Sequence, residues 1–179
     1  LLFVAACVAC APLLAAEPQP LPSQYENLKA FDKLIGTWVY DGPVLEDGPL
    51  AKKGERVKVA IHYRWILNKS VVEIEFMAWL EDGREVGGKR LVGWHPAEKH
   101  MVGGGWDSLG TLWLGAETVS EDGKTFIAED KGFSPDGREV TQQSITTVEG
   151  DTLTLQWKNR KGPDFTGDSP KYVFKRQKK

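Results

Sequence analysis

Residues 56–80 read RVKVAIHYRWILNKSVVEIEFMAWL. In the first half Val57, Val59, Ile61, Tyr63 and Trp65 alternate with Arg56, Lys58, His62 and Arg64. In the second half Val72, Ile74, Phe76, Ala78 and Leu80 stand opposite Glu73 and Glu75. A period of two is the spacing of a strand with one face buried and one in water. Farther on, Leu153, Leu155 and Trp157 alternate with Thr152, Thr154 and Gln156 in the same way.

Turn chemistry separates these runs. Asp-Gly occurs at 41–42, 47–48, 82–83, 122–123 and 136–137, and tight hairpins favour it because they need positive φ. Three copies have near-identical settings: Glu81-Asp-Gly-Arg84, Glu121-Asp-Gly-Lys124 and Pro135-Asp-Gly-Arg138. Strands are expected at about 36–41, 55–67, 70–81, 84–95, 99–107, 110–119, 124–133, 138–149, 151–158 and 170–177. No crossover helix interrupts them. The expected fold is all-β, an antiparallel meander of about ten strands, and a meander that long curls and closes into a barrel. A short helix over residues 25–34 is expected to cap one end, since Tyr25, Leu28, Phe31 and Ile35 recur at helical steps.

The middle strands are less regular. Arg90 shares a face with Val86, Val92 and Trp94; Glu117 shares one with Trp113; Gln142 and Ser144 lie with Val140 and Val148. Either the interior is polar there or the outer face is partly covered. A ligand cavity with a few placed polar groups gives this mixture, and so does a misread register.

The chain has 179 residues, a formal charge of −2, 41% hydrophobic residues and seven tryptophans. Near-neutrality removes the electrostatic pull of a nucleic-acid binder, and the aromatic content is enough for a packed core. No apolar run after residue 16 is long enough to span a bilayer. Residues 1–16, LLFVAACVACAPLLAA, carry no charge and end in small residues, as does a secretory signal peptide; cleavage is expected after Ala16. The sequence starts inside such a leader, without the usual Met and basic n-region, and is expected to be truncated at its start. Both cysteines, Cys7 and Cys10, fall inside it, so the mature chain is expected to lack disulfides and thiol chemistry, which suits a bacterial periplasm or exterior. Val4-Ala5-Ala6-Cys7 offers lipoprotein anchoring as a lesser alternative. Residues 17–24 form a proline-rich linker, and residues 25–179 form the domain.

A short helix, then Gly36-Thr37-Trp38 on a first strand, then a β-meander resembles the lipocalins and the wider calycin group. The resemblance implies that Trp38 closes one barrel end beneath the helix and that Arg176, on the last strand, packs across it. Gly87-Gly-Lys-Arg-Leu-Val-Gly-Trp-His-Pro96 and Gly105-Trp-Asp-Ser-Leu-Gly110 are similar to stretches in exported bacterial proteins with a lipocalin-like domain and no assigned function. Ten strands, where typical lipocalins have eight, lean toward the fatty-acid-binding and nitrobindin-like relatives. The latter bind haem through a barrel histidine, but none of His62, His95 and His100 has pocket parity, so no cofactor is expected.

Other chemistry has a plainer reading. His95, Glu98 and His100 span a turn and lack a metal-site spacing. Ser108 lies between strands, away from any strand-to-helix elbow. Glu73 and Glu75 oppose their strand's apolar face, and the basic C-terminal residues read as a solvated end. Gly103-Gly104-Gly105 lacks a phosphate-loop context and reads as a bend, or as room beneath a large indole such as Trp94. The tryptophans together are the strongest pocket signal. The expected lining is Tyr63, Trp65, Arg90, Trp94, Trp106, Trp113, Gln142 and Trp157, with Arg90 and Gln142 orienting any polar end. The partner expected is a small hydrophobic or amphipathic ligand. Two other readings stay open: an isomerase- or cyclase-like enzyme with a buried titratable group in the cup, and a filled barrel acting as a surface-interaction module.

Overall fold

The computed structural model describes residues 22–178, so the leader and most of the linker lie outside the described residues. A single turn of α-helix, α1 (Tyr25–Leu28), runs into a 3₁₀ segment, Lys29–Lys33. Ten strands follow in antiparallel order: β1 (Gly36–Pro43), β2 (Arg56–Ile66), β3 (Val71–Leu80), β4 (Glu85–His95), β5 (His100–Asp107), β6 (Leu112–Val119), β7 (Thr125–Phe133), β8 (Glu139–Glu149), β9 (Thr152–Lys161) and, after a two-residue piece β10 (Thr166–Gly167), β11 (Tyr172–Arg176). Each strand from β1 to β9 pairs with the next, β9 pairs with β11, and β11 returns to β1 with Trp38 opposite Arg176. The sheet is therefore a closed barrel with β10 as a short appendage on β9.

Three Asp-Gly turns work alike. Gly83, Gly123 and Gly137 have φ of +87°, +65° and +81°, which a side chain would resist. In each, the preceding aspartate accepts from the backbone N–H two residues on: Arg84 to Asp82, Lys124 to Asp122 and Arg138 to Asp136. The three carboxyls are held below the usual carboxylate range, Asp82 chiefly by the Arg84 backbone N–H, Asp122 chiefly by the Ser120 hydroxyl, and Asp136 chiefly by the Arg138 side chain. Asp41-Gly42 differs from expectation. It continues β1 to Pro43, Asp41 pairs with Arg56 at 3.0 Å, and the missing Cβ of Gly42 leaves room for the Tyr40 ring.

The helical segment plugs one end. Leu28, Phe31 and Leu34 are all buried, a spacing of three residues, which 3₁₀ geometry aligns on one side and α-geometry does not. They meet Trp38, Phe126, Val148, Leu153 and Phe174 in one apolar cluster. Trp38 Nε1 donates to Leu34 O at 2.7 Å. The Arg176 guanidinium lies 4.0 Å from the Trp38 ring centroid and donates to Ile35 O (2.7 Å) and Lys33 O (2.6 Å). Orphan carbonyls at the end of the helical segment are thus satisfied by the cation that covers the indole. Trp65 Nε1 donates to Asp32 at 2.9 Å, and Lys33 Nζ donates to Asp122 O, tying the plug to the wall.

Candidate functional site

The other end is open. A cavity of about 860 Å³ runs from a floor of Phe31 and Leu34 up to a rim that includes Glu46, Pro49, Leu50, Leu109, Pro135 and Phe165. That is within the ~300–1,000 Å³ typical of small-molecule sites. Its walls are largely apolar, with Val59, Ile74, Phe76, Trp113, Phe126 and Leu155 among them.

Six of the eight residues expected to line a pocket border this cavity: Tyr63, Arg90, Trp106, Trp113, Gln142 and Trp157. Trp106 does so only marginally. It has outward parity, between inward Gly105 and the end of β5, and is 64% exposed. Trp65 and Trp94 are not among the lining residues. Both have inward parity but sit near the plugged end, where Trp65 is engaged by Asp32 and by the edge of Tyr25 (5.4 Å between centroids) and Trp94 packs on the apolar cluster. Trp157 meets the edge of Tyr172 at 5.9 Å. Tyr63 is buried, and burial pushes its phenol well up.

The polar interior is real, and it is a charge cluster. Arg90 Nε donates to Glu117 Oε1 at 2.7 Å, and Arg90 Nη1 lies 2.8 Å from Asp130 Oδ1. Ser144 donates to the other Asp130 oxygen at 3.3 Å. Glu117 and Asp130 are buried; the Arg90 side chain is 18% exposed. Arg90 Nη2 is buried with no acceptor among the described residues. Burial raises the Glu117 carboxyl above its ordinary value, and the pull of Arg90 offsets this only in part.

Glycines make space for the cluster. A Cβ at Gly103 would lie 2.6 Å from both Nε and Nη2 of Arg90 and 2.7 Å from Glu117 Oε1. One at Gly115 would meet Asp130 Oδ1 at 2.5 Å, and one at Gly105 would collide with Lys89 O at 2.0 Å. The triple glycine of β5 therefore admits a guanidinium and close strand packing, and is not a shelf for Trp94.

Sequence reading put Glu117 on the Trp113 face without placing it in the lining, and did not name Asp130. Parity carries the signal: Phe126, Ala128 and Asp130 fall on one face of β7, as Trp113 and Glu117 do on β6. Arg160 was missed for another reason. A register shift opposite Thr141–Gln143, with Asn159 at φ +52°, breaks the alternation of β9 and turns Arg160 inward. There it holds Glu46 of the β1–β2 loop in a two-pronged pair, 2.7 Å on each side.

The remaining candidates lie elsewhere. His62 meets Thr37 at 2.9 Å, the rings of His95 and His100 stack with centroids 5.7 Å apart, and no histidine borders the cavity. Ser108 Oγ accepts from Gly87 N at 3.1 Å. Glu73 pairs with Arg64 and Lys89, and Glu75 with Lys89. Among the described residues no group of three or more His, Cys, Asp or Glu is arranged to hold a metal ion, and no helix is long and apolar enough to cross a membrane.

No protein-family model and no curated protein matches the chain. Among solved structures it is similar to the crystal structure of Rv2717c from M. tuberculosis, with a TM-score of 0.63 and 16% identity, covering 85% of this chain and 98% of that one. A de novo designed fluorescence-activating β-barrel matches more weakly, with a TM-score of 0.40, 17% identity, and coverage of 83% and 97%. At these identities the likeness is one of fold.

Proposed function

We propose that this chain is an exported, calycin-like carrier that binds a small, largely apolar molecule inside its barrel. The observation that carries the reading is the open cavity of about 860 Å³, apolar in its walls and closed at its floor by the helical plug. The main apolar cluster sits at the plugged end and leaves the cavity above it unfilled, which weighs against a filled interaction module. Export rests on the uncharged leader. The intact mass of protein made in a bacterial host with its leader attached should fit a mature chain beginning near Glu17; a retained leader overturns export, and a lipid-sized addition on Cys7 or Cys10 replaces it with anchoring.

Binding should report on the tryptophans. N-phenyl-1-naphthylamine, an uncharged apolar dye, is expected to quench Trp emission saturably. Trp113→Leu and Trp157→Leu should each weaken the response, since each removes contact area worth on the order of 1 kcal/mol. A dye that gives no saturable change with folded protein overturns the carrier reading. One observation favours an enzyme, isomerase- or cyclase-like, as the second reading: Glu117, a cavity-bordering carboxyl that burial pushes above its ordinary value against the pull of Arg90. It requires turnover of a bound molecule that Glu117→Gln abolishes.

A further inference from the structure

We infer that the occupant of the barrel is uncharged, and that its one polar group meets the side-chain amide of Gln142 while Arg90 is withheld from it. The inference rests on the carrier reading and names the ligand class of that same cavity.

An arginine inside an apolar barrel invites the idea of a carboxylate receptor. Here its charge is already committed. Arg90 lies against two carboxylates, Glu117 at 2.7 Å and Asp130 at 2.8 Å; its Nη2 has no acceptor among the described residues but is buried, shut in beside Gly103. With both acids ionised the cluster sums to −1; with Glu117 protonated, as its burial favours, it sums to zero. In neither state is positive charge left over for a ligand anion.

The rest of the cavity follows the same rule. Three cations border it, Lys89, Arg90 and Arg160, against six carboxylates, Glu46, Asp47, Asp107, Glu117, Asp130 and Asp164. Each cation is paired: Lys89 with Glu73 and Glu75, Arg160 with Glu46, and Arg90 as above. A fatty-acid head entering this site would meet like charge with nothing to neutralise it, and burying an unpaired anion is costly. A cationic head is drawn to the bordering acids Asp47, Asp107 and Asp164, but at depth it must compete with Arg90 for the two inner carboxylates and lose its own hydration.

What remains for a ligand is neutral. Gln142 borders the cavity on the inward face of β8, and its amide has no protein hydrogen-bond partner among the described residues although the residue is half-buried. It offers both a donor and an acceptor without charge, as an amide, alcohol or ketone requires.

The test compares three probes with one chain length: decanamide, decanoate and decyltrimethylammonium, titrated into the full mature protein at neutral pH and read by Trp emission. Decanamide should bind at least about tenfold more tightly than either charged probe, because only it escapes an unpaired buried charge. Gln142→Leu, close in volume, should weaken decanamide about fivefold or more and so narrow its lead over the two charged probes, since it removes a hydrogen bond and little contact area. Decanoate or the ammonium probe binding as tightly as decanamide overturns this inference alone, and unchanged decanamide binding by Gln142→Leu overturns the role of that residue. If the naphthylamine dye also fails to bind, the carrier reading falls and this inference falls with it.

Discussion

Trp38→Ala should lower the unfolding free energy by about 3–5 kcal/mol, the cost of emptying a large aromatic site in a core. Trp38 is fully buried, and its neighbours Leu28, Phe31, Leu34 and Leu153 are at most 1% exposed, so little can collapse into the space. The loss includes a hydrogen bond, because Leu34 O receives Trp38 Nε1 and would be left to find water at a sealed end. Arg176→Ala should cost less, about 1–2 kcal/mol, since the guanidinium contributes packing and cation–π attraction at a partly exposed position. Lysine is a poor substitute at Arg176, because one ammonium cannot reproduce the planar fork that covers the indole and reaches both Lys33 O and Ile35 O. Urea unfolding of the two single mutants and the double mutant checks the pairing. The double mutant should be more stable than additivity predicts, by about 0.5–2 kcal/mol. Strict additivity would mean that the 4.0 Å stacking contributes nothing and that the closed end is held by the apolar cluster alone.

The strands were legible because their causes are local. Alternation in 57–65 and 72–80 needs only a sheet with a wet side, and the three repeated Asp-Gly turns bring their own capping carboxylates. The closed end was legible in part through Trp38 and Arg176, but the helix type was not. Burying Leu34 in place of Ile35 at the third contact depends on the barrel end beneath it, which no local pattern encodes. Inside the barrel, reading failed where one residue's role depends on another strand. Asp130 stands between Glu129 and Lys131 and looks solvated; only a guanidinium from β4, reaching across Gly103 and Gly115, makes its inward position tolerable. Trp106 reaches the cavity only at its edge, since its parity points outward and most of the indole is exposed.

The same cluster supplies the second large effect. Arg90→Met keeps the length of the apolar stem and removes the cation, leaving Glu117 and Asp130 with side chains only 6% and 4% exposed. Stranding buried charge in this way costs about 3–5 kcal/mol near neutral pH. The loss should depend on pH in a defined sense. Glu117 already titrates above its ordinary value of 4.5 because burial outweighs the pull of Arg90, and without that pull it must rise further. A carboxyl whose pKa is raised on folding favours the folded state fully below its unfolded pKa, and that contribution is lost as pH rises through the folded value. Arg90→Met should therefore approach wild-type stability at about pH 4–5 and fall away progressively toward about pH 8. Adding Glu117→Gln and Asp130→Asn to Arg90→Met should recover most of the loss at the higher pH, because the resulting neutral trio of one thioether and two amides carries no desolvated charge. Urea unfolding at the two pH values separates the possibilities. A pH-independent deficit that the neutral trio does not repair would mean that Arg90 acts by filling space, and that its two carboxylates reach water when it is gone.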